Sequence, residues 1–86
     1  MNSSFIVKAI HIGTEIKSKV KMRKMTVVDF AKQLGCHRTH VYRIFESPSI
    51  DTTTLLHISV ILDFDFFKLY SEKVSMRLAS KDLDSK

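Results

Sequence analysis

The sequence predicts an all-α chain, a compact bundle of about five helices, on three observations. Breakers are scarce, with two Gly and one Pro in 86 residues. That favours helices over a many-stranded sheet. Apolar residues recur three and four positions apart, the spacing that puts them on one side of a helix. Cap and stop residues (Thr26, Gly35, Asp51, Asp65) divide the chain into helix-length pieces.

Residues 1–12 form an apolar arm. In it Ile10 and Ile12 alternate with His11, so a short strand and a lead-in to the first helix both remain open. The first helix is expected from Gly13 or Thr14 to about Met22, with Ile12, Ile16 and Val20 four apart and Lys17, Lys19, Lys21 and Arg23 on the other positions. Thr26 is the N-cap of a second helix over Val27–Leu34, its hydroxyl accepting from a first-turn amide, with Asp29 favourably placed in that turn. Val27, Phe30, Ala31 and Leu34 share its apolar face, and Gly35 stops it. A third helix over about His37–Phe45 carries Val41, Ile44 and Phe45 inward. Pro48 lies in a turn, and Asp51 caps a fourth helix over Thr52–Leu62, buried through Leu55, Ile58 and Leu62. Asp63 and Asp65 flank a break, and a fifth helix begins at Phe66, with Phe66, Phe67, Leu69 and Tyr70 in the core. From about Ser75 the sequence turns polar and is expected to fray. The division is an arm over 1–12, a helical domain over 13–72, and a polar tail or helix extension over 73–86.

The length fits one domain, with little room for a catalytic cleft or a separate sensing domain. A single cysteine, Cys36, allows no intramolecular disulfide, so nothing asks for an oxidising compartment. No apolar run approaches the roughly 18–20 residues of a membrane span. Phe5–Ile12 is short, carries Lys8 and His11, and lacks a cleavage pattern, so it does not read as a signal peptide. A cytoplasmic location is the expectation. The net charge is +5, unevenly spread. Residues 1–45 hold nine Lys or Arg against two Asp or Glu, a net +7, and residues 46–86 hold five against seven, a net −2. The basic half suggests a polyanionic partner.

That half contains TVVDFAKQLGCHRTHVYRIF, Thr26 to Phe45. Two helices crossing over a tight turn need a small residue at the crossing, here Ala31, and a residue tolerant of positive φ in the turn, here Gly35. The second of the pair must pin itself to the first, through Val41 and Ile44 against Phe30 and Leu34. This is the pattern of a helix-turn-helix. A plain αα corner in a bundle would carry the same apolar positions. The basic, polar outward face of the third helix tips the reading toward DNA.

Residues from about Gly13 to Tyr70 resemble the phage-repressor-like (XRE-type) helix-turn-helix family, on the spacing Phe30-Ala31, Leu34-Gly35, Val41, Ile44. CHRTHVYRIF, SIDTTTLLHIS and DFFKLYSE are similar to short bacterial members. The resemblance covers about two thirds of the chain. It implies a lambda-repressor-like five-helix domain with the third helix in the major groove, commonly acting as a dimer on operator DNA. Two positions depart from the family. Val27 stands where many members have a phosphate-contacting Gln, and Glu46 puts an acid near the backbone approach.

On a helical wheel Arg38, Thr39, Tyr42 and Arg43 point away from Val41 and Ile44, with His37 at the helix N-terminus. These five are the candidate base contacts. Arg38 and Arg43 lead, because a guanidinium can pair with guanine O6 and N7 for roughly 1–3 kcal/mol of discrimination. Either can instead touch phosphate, where half or more of protein–DNA hydrogen bonds go. Thr26, Lys21, Arg23, Lys24, Lys32 and Ser47 are candidate phosphate contacts, although a basic run is also what an ordinary solvated face shows. Cys36, His37 and His40 lie close together, but a structural zinc wants four paired ligands, and His11 and His57 stand alone. No metal, cofactor, membrane or small-molecule substrate is expected. Nor is catalysis, since no phosphate loop, acid pair or nucleophile–base set is present.

The expected partner is double-stranded DNA and the expected role transcriptional regulation. A homodimer would form through the arm Phe5–Ile12 or the segment Val74–Leu83. The alternative is a protein-interaction or antitoxin-like module that keeps the fold.

Overall fold

A glycine sits where the first helix meets the end of the third. The structure, a computed structural model, describes residues 9–84, with side chains through residue 80. Among the described residues it is all-α, with five helices and no strand: α1 (Ile12–Met22), α2 (Val27–Leu34), α3 (Arg38–Glu46), α4 (Thr52–Ile61) and α5 (Phe67–Asp84). The chain divides into two units, one of His11–Asp65 and one containing Phe66–Lys86 together with Met1–Ile10.

In the first unit α3 packs on α1 and α2, and α2 also packs on α4. Its core is the set of periodic apolar residues: Ile12, Ile16 and Val20 from α1, Phe30 and Ala31 from α2, Val41 and Ile44 from α3, Leu55 and Ile58 from α4, with Leu62 after it. Val27 and Leu34, expected on the same face as Phe30, are only half-buried. Ile12 belongs to the helix and is fully buried, so the arm ends earlier than expected and Ile12 is not free to face a second subunit. Phe5 to Lys8 lie outside the described residues.

Gly13 sets the spacing of α1 and α3. Its amide donates to the Ser47 carbonyl at 2.9 Å, and the Ile12 amide donates to the Pro48 carbonyl at 3.1 Å. A Cβ on Gly13 would fall on the carbonyl oxygens of Ile44 and Phe45, far inside van der Waals contact. The turn after α3 thus serves as the partner for the orphan first amides of α1. Ser47 is extended, as the residue before a proline should be.

The starts of α1, α2, α3 and α4 each have a side-chain cap. Thr26 accepts from the Asp29 amide at 3.0 Å and Asp51 from the Thr54 amide at 2.9 Å. The other two caps are histidines. His11 Nδ1 accepts from the Thr14 amide and His37 Nδ1 from the Thr39 amide, both at 3.2 Å. α3 therefore begins at Arg38, with His37 as its cap.

Three helices end alike. After α1, α2 and α4 the chain turns through a left-handed residue: Lys24 (φ 55°), Gly35 (φ 79°) and Asp63 (φ 50°). In each the next amide reaches back five residues: Met25 to Val20 (3.1 Å), Cys36 to Ala31 (3.0 Å), Phe64 to Ser59 (3.0 Å). This is the Schellman closure.

In the second unit α5 runs as one helix to Asp84, so the expected fraying from Ser75 gives way to a continuous helix. Phe66 precedes it and is fully buried, while Phe67, Leu69 and Tyr70 are half-buried. Val74, Met76 and Leu78 are exposed.

Two predictions follow from these joints. Gly13→Ala lowers stability by about 1–3 kcal/mol, the range for overpacking a tight contact, read as a lower urea midpoint. At Asp51, hydrogen bonds from the Thr54 hydroxyl and then the Thr54 amide hold the carboxyl below its ordinary range. Its contribution is therefore present above the unfolded aspartate value, about 3.9, and is lost as pH falls through the lower folded value. Asp51→Asn keeps a capping side chain but removes this titration. Its acid limb in a pH–stability profile should be flatter than that of the unmodified protein.

Candidate nucleic-acid interface

The site is built on α2, the Gly35 turn and α3. Gly35 turns the chain with nothing crowding its Cα, so the residue is fixed by its backbone angle alone. Both the Gly35 amide (2.9 Å) and the Cys36 amide (3.0 Å) donate to the Ala31 carbonyl, which ties the turn to the buried crossing residue. α3 then pins itself down through Val41 and Ile44 and through ring contacts. Phe45 stacks on Phe30, centroids 6.4 Å apart, and Tyr42 meets Phe45 edge-on at 6.4 Å. The Phe45 ring thus adds to the grip of Val41 and Ile44 on α2.

The opposite side of α3 is exposed. Arg38, Thr39, Tyr42 and Arg43 all face solvent, and His37 stands exposed at the helix start. Among the described residues neither arginine side chain has an ion pair or a side-chain hydrogen bond, which leaves both guanidiniums available to an incoming acceptor. His37 and Thr39 are not free in the same way. The Thr39 hydroxyl lies 2.8 Å from His37 Nδ1, the same nitrogen that caps the helix. A ring whose Nδ1 accepts carries its proton on Nε2, so His37 would offer Nε2–H outward.

The expected phosphate residues sort into three groups. Lys21 lines a groove of about 370 Å³ whose walls also include Tyr42. Lys32 shares a second groove, about 270 Å³, with Val28, Cys36, His37 and Arg38. Lys24 is exposed in its left-handed turn. The Thr26 hydroxyl oxygen accepts from the Asp29 amide and keeps its own O–H to donate, whereas the Ser47 hydroxyl already donates to the Arg43 carbonyl at 2.7 Å. Arg23 reaches the other way. Its guanidinium donates to the Asp63 carbonyl oxygen at 3.0 Å and lies 4.0 Å from the Asp63 carboxylate. It ties the end of α1 to the turn after α4.

Helix geometry explains this sorting. Lys19 and Arg23 are one turn apart and face Phe64 and Asp63, with the Lys19 ammonium 4.0 Å from the Phe64 ring centre. Lys17 and Lys21 are also one turn apart and face the groove beside α3. Sequence reasoning passed over Lys17, although its four-residue spacing from Lys21 was the available signal.

Burial pushes the Cys36 thiol above its ordinary pKa, which favours the unreactive neutral thiol. Among the described residues no group of three or more His, Cys, Asp or Glu is placed to hold a metal. No helix of the described residues is long and apolar enough to cross a membrane.

Gly35→Ala places an L side chain in left-handed geometry without any clash. It should cost about 1–2 kcal/mol, read as a lower urea midpoint. A larger loss would mean that the turn is held by contacts as well as by its angle. No family model, curated protein or solved structure matches this chain.

Proposed function

We propose that the chain binds duplex DNA sequence-specifically through α3, as a repressor-like transcriptional regulator of the phage-repressor-like helix-turn-helix type. The observation that carries this is the two-sidedness of α3. Val41 and Ile44 are buried, while Arg38 and Arg43 stand exposed on the other side, without an ion pair among the described residues. An unpaired guanidinium on a helix held rigidly by ring contacts suits bidentate pairing to a guanine edge in the major groove. Tyr42 would lie against the sugar–phosphate edge, and Lys21, Lys24 and Lys32 would approach phosphates from the flanks.

A single module of this size spans few base pairs, so useful affinity calls for a symmetric dimer on an inverted repeat. Val74 and Leu78, one turn apart and exposed on α5, are the candidate surface for it. A second reading, a protein-interaction or antitoxin-like module, is favoured by Leu56 and Val60, which stand exposed one turn apart on α4.

Selection from randomised duplex DNA tests the proposal, run with the unmodified protein and with an Arg38→Ala/Arg43→Ala variant. The unmodified protein should enrich a short inverted-repeat motif. The variant should lose preference at defined positions and cost about 1–3 kcal/mol per lost base contact, while retaining salt-sensitive binding. Enrichment of nothing, with binding only at low salt, would remove the DNA-reading role and leave the interaction module.

A further inference from the structure

Resting on that reading, we infer that α1 is a third DNA-contacting element: the groove between α1 and α3 seats the sugar–phosphate backbone beside α3, with Lys17 and Lys21 as its phosphate contacts. The two lysines form one wall of the groove and Tyr42 with Glu46 the other, over a floor that includes Val20 and Phe45.

Three observations choose this occupant. The first is continuity. Tyr42 belongs both to the outward face of α3 and to this groove, so a strand lying along α3 runs into it. The second is charge. Lys17 and Lys21 are exposed, neither has an ion pair among the described residues, and together they outweigh the one acid lining the groove, Glu46. The third is selectivity within α1. The alternate cations Lys19 and Arg23 are turned onto Phe64 and Asp63, so only one of the two basic edges of the helix faces α3. An apolar floor beneath two ammonium groups suits a deoxyribose ring carrying a phosphate. Gly13 holds the walls at fixed separation, because nothing larger fits between α1 and the end of α3.

Glu46 gives the proposal a contrary sign to test. An acid facing a phosphate repels it, so removing that charge should tighten binding. Removing either lysine should loosen it, equally on every sequence.

The experiment measures binding across a salt series for a duplex enriched by selection and a scrambled duplex of the same composition. Lys17→Ala and Lys21→Ala should each lower the slope of log affinity against log salt by about 0.9 and weaken both duplexes alike. Lys19→Ala changes net charge by the same amount from the other edge of α1 and should leave the slope unchanged. Glu46→Gln should tighten both duplexes. The inference is overturned, with the reading of α3 intact, if the unmodified protein prefers the enriched duplex but Lys17→Ala and Lys21→Ala keep its slope. It is equally overturned if Lys19→Ala lowers the slope as much as they do, or if their loss is confined to the enriched duplex. Failure of the unmodified protein to bind either duplex would instead overturn the DNA reading itself, and the inference with it.

Discussion

The contact of Gly13 with the end of α3 is the constraint on which the His11–Asp65 unit depends. Two backbones approach closely enough there that a single methyl group would collide with two carbonyl oxygens. The approach also satisfies polar groups. The first amides of α1 are orphaned by helix geometry, and the carbonyls of Ser47 and Pro48 supply their partners. A joint that is both sterically tight and hydrogen-bonded leaves little freedom for α1 to slide along α3. The groove walls, and the positions of Lys17 and Lys21 relative to Tyr42, follow from it.

On the other side of α3 the constraint is apolar. Phe30 is fully buried and stacks with Phe45, which in turn meets Tyr42 edge-on. This row of rings runs from the core of α2 to the exposed face of α3. Aromatic pairs of this kind contribute about 0.5–1.5 kcal/mol beyond the area they bury. Their further effect is rigidity. Tyr42 is half in a packed cluster and half in solvent, so a surface side chain is oriented by the interior. Base reading of the proposed kind needs such orientation, because bidentate hydrogen bonds tolerate little misplacement.

The helix ends show how one closure can be built from different residues. Lys24, Gly35 and Asp63 all take left-handed backbone geometry in the same Schellman arrangement. Only at Gly35 is that geometry free of a Cβ penalty. Arg23 spans two of these turns, from the end of α1 to Asp63. The bond ties two strained turns together, although a surface pair of this type adds little stability on its own. The histidine caps are similar substitutes. Each uses one ring nitrogen in the place usually taken by a hydroxyl or carboxylate oxygen.

The sequence by itself determined the all-α class, the exact extent of α2, the caps Thr26 and Asp51, the stop at Gly35 and the buried residues of α1, α3 and α4. Each of these depends on neighbours within a turn or two, through periodicity, capping preference or positive φ, so local pattern suffices. It also determined which side of α3 would be outward, since Val41 and Ile44 fix the wheel. What tertiary structure decided concerns residues far apart in the chain. That Ile12 joins α1 depends on the Ser47–Pro48 carbonyls. That Arg23 turns away from the α3 side depends on Asp63, forty residues on. That the Phe45 ring stacks on Phe30 depends on helix packing. Lys24 and Asp63 as left-handed residues, and histidines as caps, escaped local reading because residue preference points elsewhere and only the surrounding hydrogen bonds overrule it. The division of the α1 cations into one edge bound to the protein and one facing the groove was decided in the same way, because four-residue spacing makes the edges but only packing chooses which of them stays free.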